Sequence, residues 1–276
     1  MTTEPAPATP WTARVITLLP EAFPGVLGLS LTGRALARGL WRLEVIDLRR
    51  FGVGRHHNVD DTPAGGGPGM VLRADVAGAA LAEAARDVPA DRALWPVIAP
   101  SPRGRPFTQA RAGALAAGRG VTLLCGRFEG IDERVIEAFG IEEISLGDFV
   151  MTGGEIAAQA LIDTSVRLIP RVLGNRQSLG EESFSDGLLE HPHYTRPVDW
   201  QGRMIPGILL SGHHGRIEAW RREMAERLTR ERRPDLWRAR RAERGGRTDG
   251  DAERSGGRKH RAGCADSEET GDGCDR

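Results

Sequence analysis

The chain has 276 residues, of which 38 are Lys or Arg and 38 are Asp or Glu, for a formal net charge of zero. That length suffices for two domains, or for one domain with extensions, and a case for a nucleic-acid partner must rest on where the charge sits rather than on its sum. The only lysine, Lys259, lies in the polar C-terminal stretch, which excludes a P-loop lysine, a pyridoxal Schiff base and a serine-lysine dyad in the folded part.

Residues 1–10, MTTEPAPATP, read as a disordered extension without the apolar core of a signal peptide, and no apolar run approaches membrane length. A cytoplasmic, reducing setting is expected, and Cys125, Cys264 and Cys274 offer neither zinc spacing nor a disulfide framework. A first strand is predicted at 14–18, then turn residues in LLPEAFPG, a short helix at 32–39 stopped by glycine, and a second strand at 43–48. Residues 49–70 form a loop too long for a plain connection. Its Asp60 and Asp61, followed by GGGPG, would let backbone amides approach an anion or a flat ring, although composition alone favours a surface loop.

Asp75 is expected to cap a helix reaching about Val88. A third strand at 95–99 turns out at 100–104, a helix covers 108–117, strands follow at 121–125 and 143–146, and a helix spans 155–169. Strands alternating with helices at this spacing predict an α/β fold with a mostly parallel sheet covered on both faces, ending near 172. Two of its strands end in glycine loops crowded with charge, CGRFEGIDER and LGDFVMTGGE, which places a ligand crevice at the carboxyl edge of the sheet. Arg127, Glu129 and Asp132 can be read equally as helix caps or as crevice residues.

Residues 174–187 are polar, punctuated by glycine, and read as a linker. Beyond it, 216–233 is a helix with Ile217, Trp220, Met224 and Leu228 on one stripe and Glu–Arg pairs at i,i+4. Thirteen arginines against six acids between Arg203 and Arg247 make this the only basic block. Interleaved with Tyr194, Trp200 and Trp220, it raises the odds for nucleic acid, since arginine forks bind phosphates and aromatic faces stack bases. His56, His57, His191, His193, His213 and His214 show no HExxH or facial-triad spacing and read as polar surface or RNA contact. From about Arg244 the composition is that of a disordered tail.

The segments VDDTPAGGGPGM, PSPRGRPF, LLCGRFEGIDERV, SLGDFVMTGGE, LIDTSVRLIPRVLGN, EESFSDGLLEHPHYTRP and ILLSGHHGRIEAWR, in that order over about residues 13–235, closely resemble the bacterial tRNA (guanine-37-N1)-methyltransferases of the SPOUT class. The resemblance implies a sheet carrying a deep trefoil knot in residues 11–172, a linker at 173–187, a small helical tRNA-binding domain at 188–243 and a tail at 244–276. It also implies a homodimer with each active site built across the interface. S-adenosylmethionine would then sit among Ala99, Pro100, Ser101 and Pro102; Gly126, Arg127, Phe128 and Glu129; and Leu146, Gly147, Asp148, Phe149, Val150, Met151, Gly153 and Gly154. Magnesium is admitted near Glu129, with no residue assigned as a dedicated metal ligand.

The family places an Asp, as general base, just before Ser-Phe in the linker; here that position is Glu182, which keeps the carboxylate and lengthens its arm by one methylene. Asp186 is the second candidate. Arg167 matches the arginine that stabilises charge on guanine O6. Asp60, Asp61 and Gly69 would shape the guanine pocket, and Arg196 with the C-terminal arginines would grip the anticodon stem of tRNAs bearing G36 and G37. Rival readings are another SPOUT enzyme acting on ribosomal RNA or a ribose hydroxyl, and an RNA-binding module silenced by the Asp-to-Glu change. A nucleotide-dependent NTPase fails for want of a lysine.

Overall fold

The computed structural model describes residues 9–173 and 182–242. The expectations for the extreme N-terminus, for most of the linker and for the tail lie outside the described residues. The chain divides into two compact units, residues 1–180 and 181–276. Among the described residues no helix is long and apolar enough to cross a membrane.

The first unit is built on five parallel strands, β1 (Trp11–Thr17), β2 (Trp41–Asp47), β5 (Val97–Pro106), β6 (Gly120–Leu124) and β7 (Glu142–Ser145), in the order β2-β1-β6-β5-β7. Parallel strands need crossovers, and the crossovers leave helices on the faces. Side chains alternate along β1 and β6 accordingly. Ala13, Val15, Val121 and Leu123 face one core with Leu115 of α3 (Gln109–Ala117) and Leu161 and Ile162 of α5 (Glu155–Val166). Ile16 and Leu124 face a second core with Val76, Ala80 and Leu81 of α2 (Ala74–Ala84) and Val135 of α4 (Glu133–Phe139). The same covering explains why β1 and β6 are buried at every residue. Between β2 and α2 the long loop is partly ordered: β3 (Asp60–Asp61) pairs antiparallel with β4 (Val71–Leu72).

Several boundaries shift from the sequence reading, the first strand running Trp11–Thr17 rather than 14–18 and α5 ending at Val166 rather than 169, and three differences bear on local structure. Asp75 does not cap α2, which starts at Ala74; its carboxylate accepts from the Val76 amide and pairs with Arg73 at 2.9 Å. The helix stops at Ala84, short of Val88; beyond the stop Asp87 is held by Arg14 at 2.7 Å, and Pro89 disfavours helical backbone at Val88. PSPRGRPF is not a simple exit from a strand: Pro100 and Arg105 both pair with Ile144, so 101–104 bulge out and β5 resumes to Pro106. Gly104 permits this, since a Cβ there would sit 2.4 Å from the backbone of Glu143. Helix α1 (Ser30–Ala37) lies two residues earlier than the reading of 32–39, with Gly39 at φ 67° just beyond its C-cap.

The second unit centres on α6 (His214–Arg232), 19 residues whose Met224, Ala225 and Thr229 are buried, with a short hairpin of β8 (Asp199–Trp200) and β9 (Arg203–Met204) before it. The predicted stripe is the half-buried face, and Arg222 and Glu226 close to 3.9 Å on the exposed one. Residues 182–187, read as linker, fold with this unit: Phe184 N–H donates to Leu188 O at 2.7 Å, and Arg240 donates to the Asp186 carboxylate at 2.9 Å.

Leu123, fully buried between strands, sets the scale of core dependence. Leu123→Ala is expected to lower unfolding free energy by about 2–5 kcal/mol, seen as a lower denaturant midpoint at unchanged slope. Leu94→Ala, 40 % exposed, should move the midpoint far less.

Candidate active site

The sheet order sets β6 and β7 on either side of β5, so the carboxyl ends of three neighbouring strands converge. Their loops enclose one cavity of about 360 Å³ in the first unit, the size of a small-molecule site. Its wall is formed by 99–103 from β5, 126–131 after β6, and 143–154 around and after β7, with Ala157 of α5. Every residue that the resemblance assigns to the methyl donor lines it, save Asp148. Phe149 N–H donates to Gly147 O at 2.9 Å, a three-residue turn with Asp148 exposed at its apex and Phe149 returned to the wall. Sequence reasoning missed Arg103, Gly130, Ile131, Glu143, Ile144, Ser145, Thr152 and Ala157, which line the same space. They carry no motif chemistry, and only the meeting of the three loops reveals them.

The loops after β6 and β7 are knitted to each other. Arg127 pairs with Gly153 as an isolated antiparallel bridge, and Gly154 N–H donates to Gly126 O at 2.9 Å. A Cβ on Gly154 would lie 3.0 Å from Cys125 Cα, so glycine is what lets the backbones approach. Beneath them sits Glu155, only 4 % exposed, in the first turn of α5. Its Oε1 accepts from Thr17 Oγ1 at 2.8 Å and from Arg127 Nε at 3.2 Å, and Oε2 accepts from Arg127 Nη2 at 3.1 Å. The end of β1, the start of α5 and the loop after β6 are thereby tied by one carboxylate. Thr17 and Glu155 are 138 positions apart, and no local pattern announces the pair. Burial, and then the nearby Glu155 carboxylate, push the Cys125 thiol well above its ordinary range, which makes it a packing group rather than a nucleophile.

A second tie brings in the glycine-rich loop. Glu129 N–H donates to Met70 O at 2.9 Å, Leu72 N–H to Gly130 O at 2.9 Å, and Leu72 bridges Ile131. Gly69, at φ 89°, lies against Glu129, whose Cγ a Cβ at that position would meet at 2.4 Å. Gly69 therefore borders the cavity through Glu129. Asp60 and Asp61 are held on β3, Asp61 bonded to Arg73 at 3.1 Å, and neither lines the cavity. Asp132, by contrast, is a helix cap: hydrogen bonds from the Arg134 guanidinium hold its carboxyl below the usual range, and it accepts from the Arg134 amide at 3.0 Å. Arg167 is the half-buried C-cap of α5 and lies outside the cavity lining.

The remaining candidates are in the second unit. Glu182 is half-buried at the head of a turn closed by Ser185, whose amide and hydroxyl donate to Glu182 O at 3.2 and 2.6 Å. Asp186 is engaged by Arg240, itself 5 % exposed. Arg196 is exposed. Arg203 stacks over Trp200 at 5.5 Å, and Tyr194 lies 6.2 Å from Trp220.

An open parallel sheet with glycine-lined loops around a cavity at its carboxyl edge defines an α/β protein whose cavity has the size and place of a small-molecule site. The chain matches the family described as tRNA (Guanine-1)-methyltransferase TrmD over residues 12–239, and it belongs to that family. It is 67 % identical over 243 residues to a tRNA (guanine-N(1)-)-methyltransferase of Cereibacter sphaeroides, covering 88 % of this chain and 98 % of the relative. Relatives of the same name from Jannaschia sp. and Rhodopseudomonas palustris are 63 % and 62 % identical over 237 and 233 residues, covering 86 % and 84 % of this chain and 96 % and 92 % of their own.

Glu155→Ala is expected to leave Arg127 uncompensated beside the cavity and to lower stability by about 3–5 kcal/mol. Glu155→Gln, which keeps an acceptor for Thr17, should cost less. Equilibrium unfolding of both variants checks the order, and equal losses would show that the acceptor kept for Thr17 is immaterial and that the lost charge accounts for the whole effect.

Proposed function

We propose that the protein transfers a methyl group from S-adenosylmethionine to N1 of guanine 37 in tRNAs carrying G36 and G37, acting as a cytoplasmic homodimer with a SPOUT-type trefoil knot. Family membership over residues 12–239 is the observation that carries this reading. The cavity supports it on chemical grounds. A donor with an adenine ring and a methionine chain needs apolar walls and free backbone groups more than charge, and the lining is largely Gly, Pro, Ala, Ile, Leu, Met and Val. Bound there, S-adenosylmethionine would supply an electrophilic methyl group on a sulfonium.

The chain's own residues have two tasks. Guanine N1 carries a proton and attacks poorly until that proton leaves, so the Glu182 carboxylate accepts it. Negative charge then collects on O6, where the Arg167 guanidinium donates. These assignments to one reaction rest on the resemblance. Glu182 is placed ahead of Asp186 because it holds the position of the family's carboxylate, directly before Ser183 and Phe184. Glu129, in the cavity wall, is the acid the resemblance connects with the methionine end or with magnesium. Asp60, Asp61 and Gly69 shape the guanine pocket, and Arg196 with the arginines of α6 grips the anticodon stem. The homodimer is supported by apolar side chains left open on the first unit, Val26 and Leu29 at 66 %, Val150 at 83 % and Ile156 at 69 %.

Purified protein with labelled S-adenosylmethionine should methylate a tRNA transcript bearing G37 and leave the same transcript with A37 unlabelled. Glu182→Gln should reduce transfer by about 100- to 10,000-fold with donor binding retained, and Asp186→Asn by much less. Donor binding without transfer to either transcript would overturn the assignment and favour an RNA-binding module without catalysis.

A further inference from the structure

The segment after Glu182 gathers three metal-ligating side chains that the methyl-transfer chemistry leaves unused. Glu190, His191 and His193 each present one donor atom, and these atoms lie within 4.8 Å of one another. They occupy a non-helical stretch interrupted by Pro192, so the i,i+4 spacing rules by which helical metal motifs are recognised in sequence do not apply to them. His193 Nε2 stands 3.0 Å from Glu190 Oε1, and the two imidazoles are 4.8 Å apart, centre to centre.

We infer that Glu190, His191 and His193 form a site for a divalent transition-metal ion of the zinc and cobalt class, completed by water. Two neutral imidazoles and one carboxylate are a donor set that such borderline ions prefer over magnesium or calcium, which take oxygen. Zinc bonds to nitrogen and oxygen near 2.1 Å in a tetrahedron place neighbouring donors roughly 3.3 Å apart. The Glu190–His193 pair therefore already has nearly the required separation, and the widest pair must close by about 1.5 Å, within the reach of side-chain rotation. The close approach of Glu190 Oε1 and His193 Nε2, 3.0 Å apart, marks the place the ion takes. His191 Nδ1 lies 3.2 Å from Pro192 O; with Nδ1 protonated and donating to that carbonyl, Nε2 keeps the lone pair that a metal needs, the arrangement by which backbone oxygens commonly orient histidine ligands.

The backbone under the site is fixed. Leu189 N–H donates to Thr229 Oγ1 of α6 at 2.8 Å, and Thr229 is fully buried. Glu190 N–H donates to Ser183 Oγ at 3.0 Å, next to Glu182. An ion held here would fasten residues 190–193 and, through Ser183, brace the turn that carries Glu182. Glu190 and His191 are half-buried and His193 is exposed, which leaves a face for entry and for water.

Titration of the full chain with cobalt(II) should give visible d–d absorption from a nitrogen–oxygen site, reversed by zinc(II). Zinc should also raise the thermal midpoint, since an ion that binds only the folded site stabilises it. Glu190→Gln, His191→Gln and His193→Gln should each weaken cobalt binding at least tenfold and abolish the zinc-dependent rise. Circular dichroism and the metal-free midpoint establish that the variants fold. Cobalt spectra and zinc shifts unchanged in all three variants would place any bound metal elsewhere and overturn the site, as would the absence of saturable binding by the wild-type chain. Neither readout involves methyl transfer, so failure here leaves the proposed reaction standing, and failure of that reaction leaves the metal site to its own test.

Discussion

The buried ion pair between Glu155 and Arg127, with Thr17 as third partner, is the contact on which the geometry of the cavity depends. A carboxylate that is 4 % exposed is tolerable only when its oxygens are occupied, and the groups that occupy them come from β1 and from the loop after β6. Glu155 itself begins α5, directly after the loop that follows β7. Electrostatic satisfaction of one side chain thus requires both glycine loops to stand where they do, and the Arg127–Gly153 bridge and the Gly154–Gly126 hydrogen bond then close the seam between them.

The sheet supplies the frame for this arrangement. Parallel pairing of β6, β5 and β7 turns three carboxyl ends the same way, so the loops that leave them share one space. The bulge at 101–104 widens the β5 end, and Gly104 makes it sterically feasible against the Glu143 backbone. The glycine-rich loop is drawn to the same edge through Leu72, Gly130 and Glu129. A stretch that composition describes as surface is therefore anchored at its end to the cavity wall.

The groups to which the proposed reaction assigns roles are found in both units. The first carries the glycine-lined cavity and Arg167; the second carries the arginine-rich helix, the Arg203–Trp200 stack, and a turn in which Glu182 is half-buried while Asp186 is held by Arg240. The same turn is bonded through Ser183 to the Glu190 backbone. Whatever steadies residues 190–193 therefore also steadies the segment bearing the proposed base.

The sequence by itself determined the elements and their covering: short apolar runs ended by glycine marked the strands of the first unit, the 3.6-residue stripe marked α6, and the motif order identified the family and most of the cavity wall. These are local or collinear signals, written in neighbouring residues. Only the tertiary structure decided that Asp148 turns outward, that Asp132 is spent as a cap, that Asp186 is taken by Arg240, and that Glu155 is the buried anchor. It also decided that Glu190, His191 and His193 converge. Each of these is settled by which partner a charged or polar group meets in the fold, or by how a loop turns, and residue type and spacing along the chain fix neither.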